Sequence, residues 1–283
     1  MSLLPHDKIS FFSKAILMLF LFLSWGVNQI INDYINLEED RINAPNRPMV
    51  TGALPANIAL AISALAICVI IIYSLCVNAI SVIPIIAGVV MNIVYSYAKA
   101  YGIIGNLTFG ISISCCAWYA YVLLGGGIIS FFTDHWMIWL ILVVLNMIMT
   151  YFTYFKDLEG DKSAGKNTLI VRYGRKKASR IGFVIGFIPF VIFMLVHNSE
   201  SEFWFWITCL EASFWHIYTG YVFLKKNVGA PTYFNLKYNF RALCCSQSAL
   251  VCLNNPIEGF LLSCLCDIGI SIVFEKWYTD ATE

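Results

Sequence analysis

Charge is what this sequence has least of. Of 283 residues, 12% are Asp, Glu, Lys or Arg, against about 25% in water-soluble domains. Between Arg47 and Lys156 the only charged side chains are Lys99 and Asp134. So few charges exclude a domain surrounded by water and point to several membrane spans. The usual cysteine chemistries are missing too. Ten cysteines form no C-x-x-C pair, and none of the four histidines lies near them at ligand spacing. This excludes a zinc cage and a disulfide framework. Cys68, Cys76, Cys115, Cys116, Cys209, Cys252 and Cys264 lie inside apolar runs, where cysteine acts as a small buried hydrophobe. No basic patch with interleaved aromatics suggests nucleic acid, and a net charge of +1 is silent about partners. The first apolar run, 9–31, is too long for a signal-peptide core.

What is present is hydrophobicity, at 59% of the chain, in stretches near the ~20 residues a bilayer requires. They lie at 9–31, 57–77, 79–98, 107–125, 136–155, 181–197 and 203–224. The tail, 242–275, is interrupted by Asn254, Asn255 and Pro256, and reads as one broken helix or as a half-helix plus a span. The connecting stretches then alternate. Those at 32–56, 99–106, 156–180 and 225–241 carry 15 of the 18 basic residues, and those at 78, 126–135 and 198–202 carry none. Lysine and arginine cross membranes poorly, so the first side is expected to face the cytoplasm. Lys8 and Lys14 fall on the opposite side, and Lys276 lies near the C-terminus.

The carboxylates gather on the same basic side. "NQIINDYINLEEDRINAPNRPMVTG" (28–52) follows the first span, and "KDLEGDKSAGKNTL" (156–169) follows the fifth. Asn32, Asn36 and Asp40 step by four, as do Asp157 and Asp161, so on a helix each set forms one stripe. Oxygen stripes suit a hard cation such as magnesium, which shares its open positions with phosphate oxygens. Arg47, Lys99, Lys162 and Lys166 would neutralise phosphate further. Asp33 and Asp157 are 124 positions apart, so the two halves repeat a plan of span, acidic cluster, basic residues and span. The pattern predicts a membrane enzyme that binds a lipid diphosphate through magnesium, with the hydrocarbon between helices.

These residues resemble the UbiA superfamily of intramembrane prenyltransferases. "NDYINLEED" with the trailing Arg47-Pro48 is similar to that family's first motif, and "KDLEGDKSAGKNTLIVRYG" to its second. "YSYAKAYGIIGN" is similar to a Y-x-x-x-K element, here Tyr95 and Lys99, with Gly105 and Asn106 following. The seven residues between Asp40 and Pro48 fit best the branch of chlorophyll synthases, homogentisate prenyltransferases and archaeal ether-lipid enzymes. The resemblance implies an all-α bundle around a central cavity with a lateral opening. The family has about nine transmembrane helices and the present spans give about eight. The whole chain, 1–283, would be one transmembrane domain, its first half carrying motif 32–48 and its second half motif 157–161. The implied reaction moves an isoprenyl group from its diphosphate to an aromatic or other lipophilic acceptor, with no obligatory protein partner.

Residue by residue, the resemblance implies catalytic roles for Asp33, Asp40, Asp157, Asp161 and Lys99. It implies diphosphate binding by Asn32, Arg47, Tyr95, Lys99 and Lys162, and Mg2+ ligation by Asn32, Asn36, Asp40, Asp157 and Asp161. Two departures stand out. The middle aspartate of the first motif is Asn36 here, a weaker ligand than a carboxylate. The family also places a whole span before the one ending in Asn-Asp, and here Asn32 ends the first span.

Inside the spans, Glu211 and His216 are candidate functional groups because ionisable residues are costly in a bilayer. Asp267 and Glu258 are weaker ones, and Asn92 and Asn146 read as interhelical hydrogen bonds. The residues leave other functions open. One is a terpene cyclase of the same fold, in which the allylic cation attacks its own double bonds. Others are a non-catalytic lipid-binding relic and a transporter whose carboxylates bind cations. A CDP-alcohol transferase would need D-G-x-x-A-R, which is absent.

Overall fold

A computed structural model describes residues 11–196, 203–229 and 231–276. Every regular element among them is helical. In chain order they are α1 (Phe11–Ile35), α2 (Leu37–Asn43), α3 (Pro48–Thr51), α4 (Ala56–Asn78), α5 (Val82–Ala98), α6 (Ile103–Leu123) and α7 (Ser130–Thr133). Then follow α8 (Trp136–Thr153), α9 (Leu158–Ser163), α10 (Leu169–Ile185), α11 (Ile188–Val196), α12 (Phe203–Lys225), α13 (Pro231–Cys252) and α14 (Pro256–Lys276). Lys8 and the 198–202 connection lie outside the described residues.

Six stretches are long and apolar enough to cross a membrane: 12–35, 56–101, 103–123, 136–153, 169–196 and 256–275. The second has 46 residues, about two crossings' worth, and a 3-10 turn at Ala79–Ser81 breaks it. The helix surfaces agree with this reading. On α4, Ile58, Ile62, Leu65, Val69 and Ile72 recur at helical spacing, each about half or more exposed. Such a stripe would be unfavourable against water and is matched to lipid tails. The chain is an integral membrane protein.

Two stretches read as connections are instead helical. Residues 156–180 contain α9 and the first part of α10, which bends at Gly174. The bases of α10 cover one flank while Ile170, Ala178 and Ser179 are buried, and averaging over a hydropathy window hides such a two-faced helix. Residues 231–241 open α13, a complete helix of 22 residues. The open reading of the tail thus becomes two full helices, broken where Asn254, Asn255 and Pro256 intervene. Nine helices of 17 residues or more are present among the described residues.

The chain forms two compact units. The first runs up to Val143 and includes Glu159–Lys166, and the second comprises Val144–Leu158 and the chain from Asn167. In the first, α5 packs along α6, and α1 packs on α4 and α5. Leu17, Phe20, Ile70, Tyr119, Ala120 and Leu123 form an apolar cluster there. In the second, α12 packs on α13, α14 and α10, with Phe193, Phe205, Cys209, Ala212, Cys245, Ala249 and Cys252 interlocked. All ten cysteines are free thiols.

The ionisable groups inside the helices of the second unit have partners. Ser263 donates to Glu211 Oε2 at 2.7 Å, and His216 Nε2 meets Ser246 Oγ at 2.9 Å. Arg241 Nε lies 2.9 Å from Asp267 Oδ1 and its guanidinium covers the Trp215 ring. Removing one partner of such a sheltered pair leaves an uncompensated charge, at a cost of about 3–5 kcal/mol. Arg241→Met and Asp267→Leu should each lower the unfolding temperature of the detergent-solubilised protein, and the double variant should recover most of the loss. Additive losses in the double variant would show that the two side chains do not depend on each other.

Candidate functional site

The first acidic stripe is built across a helix joint. α1 runs past Ile31 to Ile35, so Asn32 and Asp33 occupy its last turn. Asn36 leaves helical geometry (φ −100°, ψ 20°) and starts α2. The i to i+4 bonds nevertheless continue, from Asn36 N to Asn32 O at 3.0 Å and from Asp40 N to Asn36 O at 2.9 Å. Asn32, Asn36 and Asp40 therefore keep a common face through the joint. Arg47 follows on extended backbone just before Pro48. Its Nη1 lies 2.6 Å from Asp33 Oδ1 and also contacts Asp40 Oδ2. Gln29 Nε2 donates to the same Asp33 oxygen at 2.5 Å.

The segment 159–166 completes this site within the first unit. Gly160 N donates to Asn43 Oδ1 at 2.8 Å. A Cβ at Gly160 would lie 2.4 Å from Asn43 Nδ2 and 2.7 Å from the Glu39 carbonyl, so only glycine lets α9 approach α2 this closely. Asp161 is wholly buried and Lys99 nearly so, with Nζ 2.6 Å from Asp161 Oδ1. Lys99 reaches that place from the 3-10 turn that ends α5. At the far end of the segment, Lys166 Nζ lies 2.7 Å from Asn36 Oδ1 and 2.7 Å from the Glu39 carboxylate. Gly165 (φ 69°) makes the turn after α9, and Thr168 Oγ1 caps α10 by accepting from Val171 N. The Gly and Thr of the second motif thus do turn and cap work.

The expected site residues are therefore distributed as follows. Asn32, Asp33, Asn36, Asp40, Arg47, Lys99 and Asp161 converge in the first unit. Tyr95 is buried there, one turn before Lys99, with its ring edge-on to Phe109 at 5.0 Å. Lys162 is exposed on α9. Asp157 belongs to the second unit and pairs with Lys156 at 2.5 Å. Among the described residues no three His, Cys, Asp or Glu side chains form a ready-made metal cage. The residues present do fit a hard cation in one respect: a single nitrogen, Arg47 Nη1, meets both Asp33 and Asp40, so these two carboxylates already converge on one positive centre. One participant, Asn43, is not among the site residues expected from sequence, whereas Lys166, expected to neutralise phosphate, is held by Asn36 and Glu39. Asn43 carries a signal, since it extends the 32–36–40 stripe by three residues, and Lys166 pairs across 127 residues, which no local pattern shows.

An open apolar groove adjoins this cluster. Phe20, Ile70, Ile85 and Tyr119 line it, together with Asn28 and Asn92. Asn92 Nδ2 donates to Asn28 O at 3.2 Å, joining α5 to α1. On α1 the lining runs from Phe20 to Ile31, about 16 Å at 1.5 Å per residue, and ends one residue before Asn32.

Comparison with known proteins agrees with this arrangement. The digeranylgeranylglyceryl phosphate synthase of Thermococcus sibiricus is 31% identical over 195 residues, 68% of this chain and 66% of that protein. Those of Methanosphaera stadtmanae and Sulfurisphaera tokodaii are 29% and 32% identical, over 62% and 57% of this chain and 63% and 60% of theirs. The chain thus spans just under two thirds of the length of these relatives. A solved structure described as digeranylgeranylglyceryl phosphate synthase in membranes is alike in fold, with a TM-score of 0.58 over 90% of this chain and 87% of that one, at 22% identity. The pattern of the UbiA prenyltransferase family matches residues 1–241, and the chain belongs to that family.

Proposed function

We propose that the whole chain is one transmembrane transferase domain that moves an isoprenyl group from an isoprenyl diphosphate to a lipophilic acceptor, with magnesium. The observation that carries this reading is the placement of a sheltered charge cluster at the end of an apolar groove. The groove suits an isoprenyl chain, since burying each CH2 contributes about 0.8 kcal/mol. The cluster suits the diphosphate.

Arg47 and Lys99 are held by Asp33, Asp40 and Asp161. A diphosphate offers the same charge and the same acceptors, and so competes for both cations. Once engaged, they stabilise the negative charge that grows on the leaving diphosphate as the allylic C–O bond breaks. Asp33, Asp40 and Asp161, with Asn32, would hold magnesium, which would supply positive charge to offset that of the diphosphate. Asp157 keeps the catalytic role that its place in the second motif implies. The groove walls keep water from the allylic carbon until the acceptor takes it. Because the relatives are named for digeranylgeranylglyceryl phosphate, a prenylated glyceryl phosphate belongs beside aromatic compounds as an acceptor class. The positive-inside distribution supports a cytoplasmic face for the cluster.

Membranes carrying the protein should convert labelled isoprenyl diphosphate to a prenylated product with either a quinol-like acceptor or a prenylated glyceryl phosphate. EDTA should abolish turnover and magnesium restore it. Failure to consume any isoprenyl diphosphate would overturn the reading, and cyclic hydrocarbon formed without acceptor would turn it into cyclisation. Asp33→Ala and Asp157→Ala should each lower kcat by about 10²-fold or more, as loss of charge stabilisation does, while leaving insertion intact. Near-wild-type turnover in both would reduce these carboxylates to a solvated rim.

Orientation has its own measurement. A cysteine at Asn227 should react with a membrane-impermeant maleimide from the cytoplasmic side, and one at Gly127 should not, in a background whose native thiols have been replaced. The reverse labelling would contradict the assigned sidedness.

A further inference from the structure

We infer that Lys166 takes the place of a second divalent cation, so that the site accepts a single metal ion on its Asp33–Asp40 side. The inference rests on the reading of the cluster as a magnesium–diphosphate site.

Three oxygens surround the Lys166 ammonium: Asn36 Oδ1 at 2.7 Å and both oxygens of Glu39 at 2.7 Å. All three donors of an ammonium can be used this way, and it has no acceptor to leave unsatisfied. The distances are those of charge-assisted hydrogen bonds, and the Lys166 and Glu39 side chains are only 13% and 10% exposed. The lysine is held from its backbone as well. Its N–H donates to Asp161 O at 2.8 Å, and the segment's other end is fixed by the Gly160–Asn43 bond.

Asn36 completes the argument, because its two ends have different partners. Its Nδ2 donates to Asn32 O at 2.9 Å and to Asn32 Oδ1 at 2.8 Å. With the nitrogen so engaged, the amide oxygen faces Lys166. A carboxylate at this position would set an oxygen against two acceptors of Asn32, an arrangement that only a cation between them would relieve. The neutral amide therefore belongs with the ammonium. Asn36, Glu39 and Lys166 sum to zero charge, and a divalent ion added there would face Lys166 as a like charge at short range. The substitution at Asn36 and the lysine at 166 compensate each other across 130 residues.

The test counts ions directly. Full-length protein in detergent is equilibrated with manganese(II) and inorganic diphosphate, and bound manganese per chain is measured by dialysis and electron paramagnetic resonance. The wild type and Lys166→Arg should bind one ion. The Asn36→Asp/Lys166→Met double variant, which restores a carboxylate and removes the ammonium, should bind two. Two ions or none in the wild type would overturn the inference, as would two in Lys166→Arg. One in a folded double variant would overturn it also, and if that variant does not fold the first two counts still decide. Prenyl transfer is measured on the same preparations. Transfer with two bound ions sinks the inference and leaves the proposed function standing, and one bound ion without transfer does the reverse.

Discussion

Carboxylates beside an apolar groove must each meet a positive charge, and the rest of this site follows from that requirement. An ionised group removed from water loses several kcal/mol of solvation unless a partner replaces it. Asp161 is wholly buried, and Lys99 answers it from the end of α5. Asp33 and Asp40 share Arg47, and Glu39 has Lys166. These pairs bind α1, α2, the turn after α5 and the 159–166 segment to one another. They are weak contributors to net stability, since desolvation offsets much of the attraction. What they supply is position: Lys99 and Lys166 are held almost wholly out of water and Arg47 largely so.

The groove adds the complementary half. Its lining on α1 ends where the polar stripe begins, so one helix carries the apolar lining from Phe20 to Ile31 and the polar stripe from Asn32 onward. A substrate with a greasy tail and a charged head is matched along a single axis. Asn28 and Asn92 mark the change of character. Their hydrogen bond satisfies polar groups between helices, as buried amides must be satisfied in a bilayer setting.

Much of this was legible in the sequence, for identifiable reasons. The stretches 57–77 and 107–125 became Ala56–Asn78 and Ile103–Leu123 because long apolar runs admit few structures in lipid. The four-residue step of Asn32, Asn36 and Asp40 survived because the helical bonds continue through the joint at Asn36. Other elements stayed hidden because their polar residues find partners far along the chain. Arg41 and Arg241 look alike as sequence. Arg41 makes an exposed pair with Glu38, whereas Arg241 lies inside α13 and meets Asp267 on α14. Arg41 sits on the seven-residue α2 and Arg241 on the 22-residue α13, and nothing local distinguishes them. α10 was hidden by averaging, since its bases and its buried Ile170 and Ala178 alternate within each turn.

The same contrast explains why Asn36 is easily misread. Judged alone, it is a weakened metal ligand and suggests decayed chemistry. Judged with its partners, it is one member of a neutral set in which Lys166 supplies the charge and Glu39 the counter-charge. A ligand lost by drift would leave behind a site still shaped for a divalent ion, with carboxylates facing each other and no chain cation between them. Here the ammonium is seated on three oxygens, its backbone is tied to Asp161, and the amide nitrogen is bonded back to Asn32. Asn36 and its surroundings fit one another: the amide oxygen is matched to the Lys166 ammonium and the amide nitrogen to Asn32.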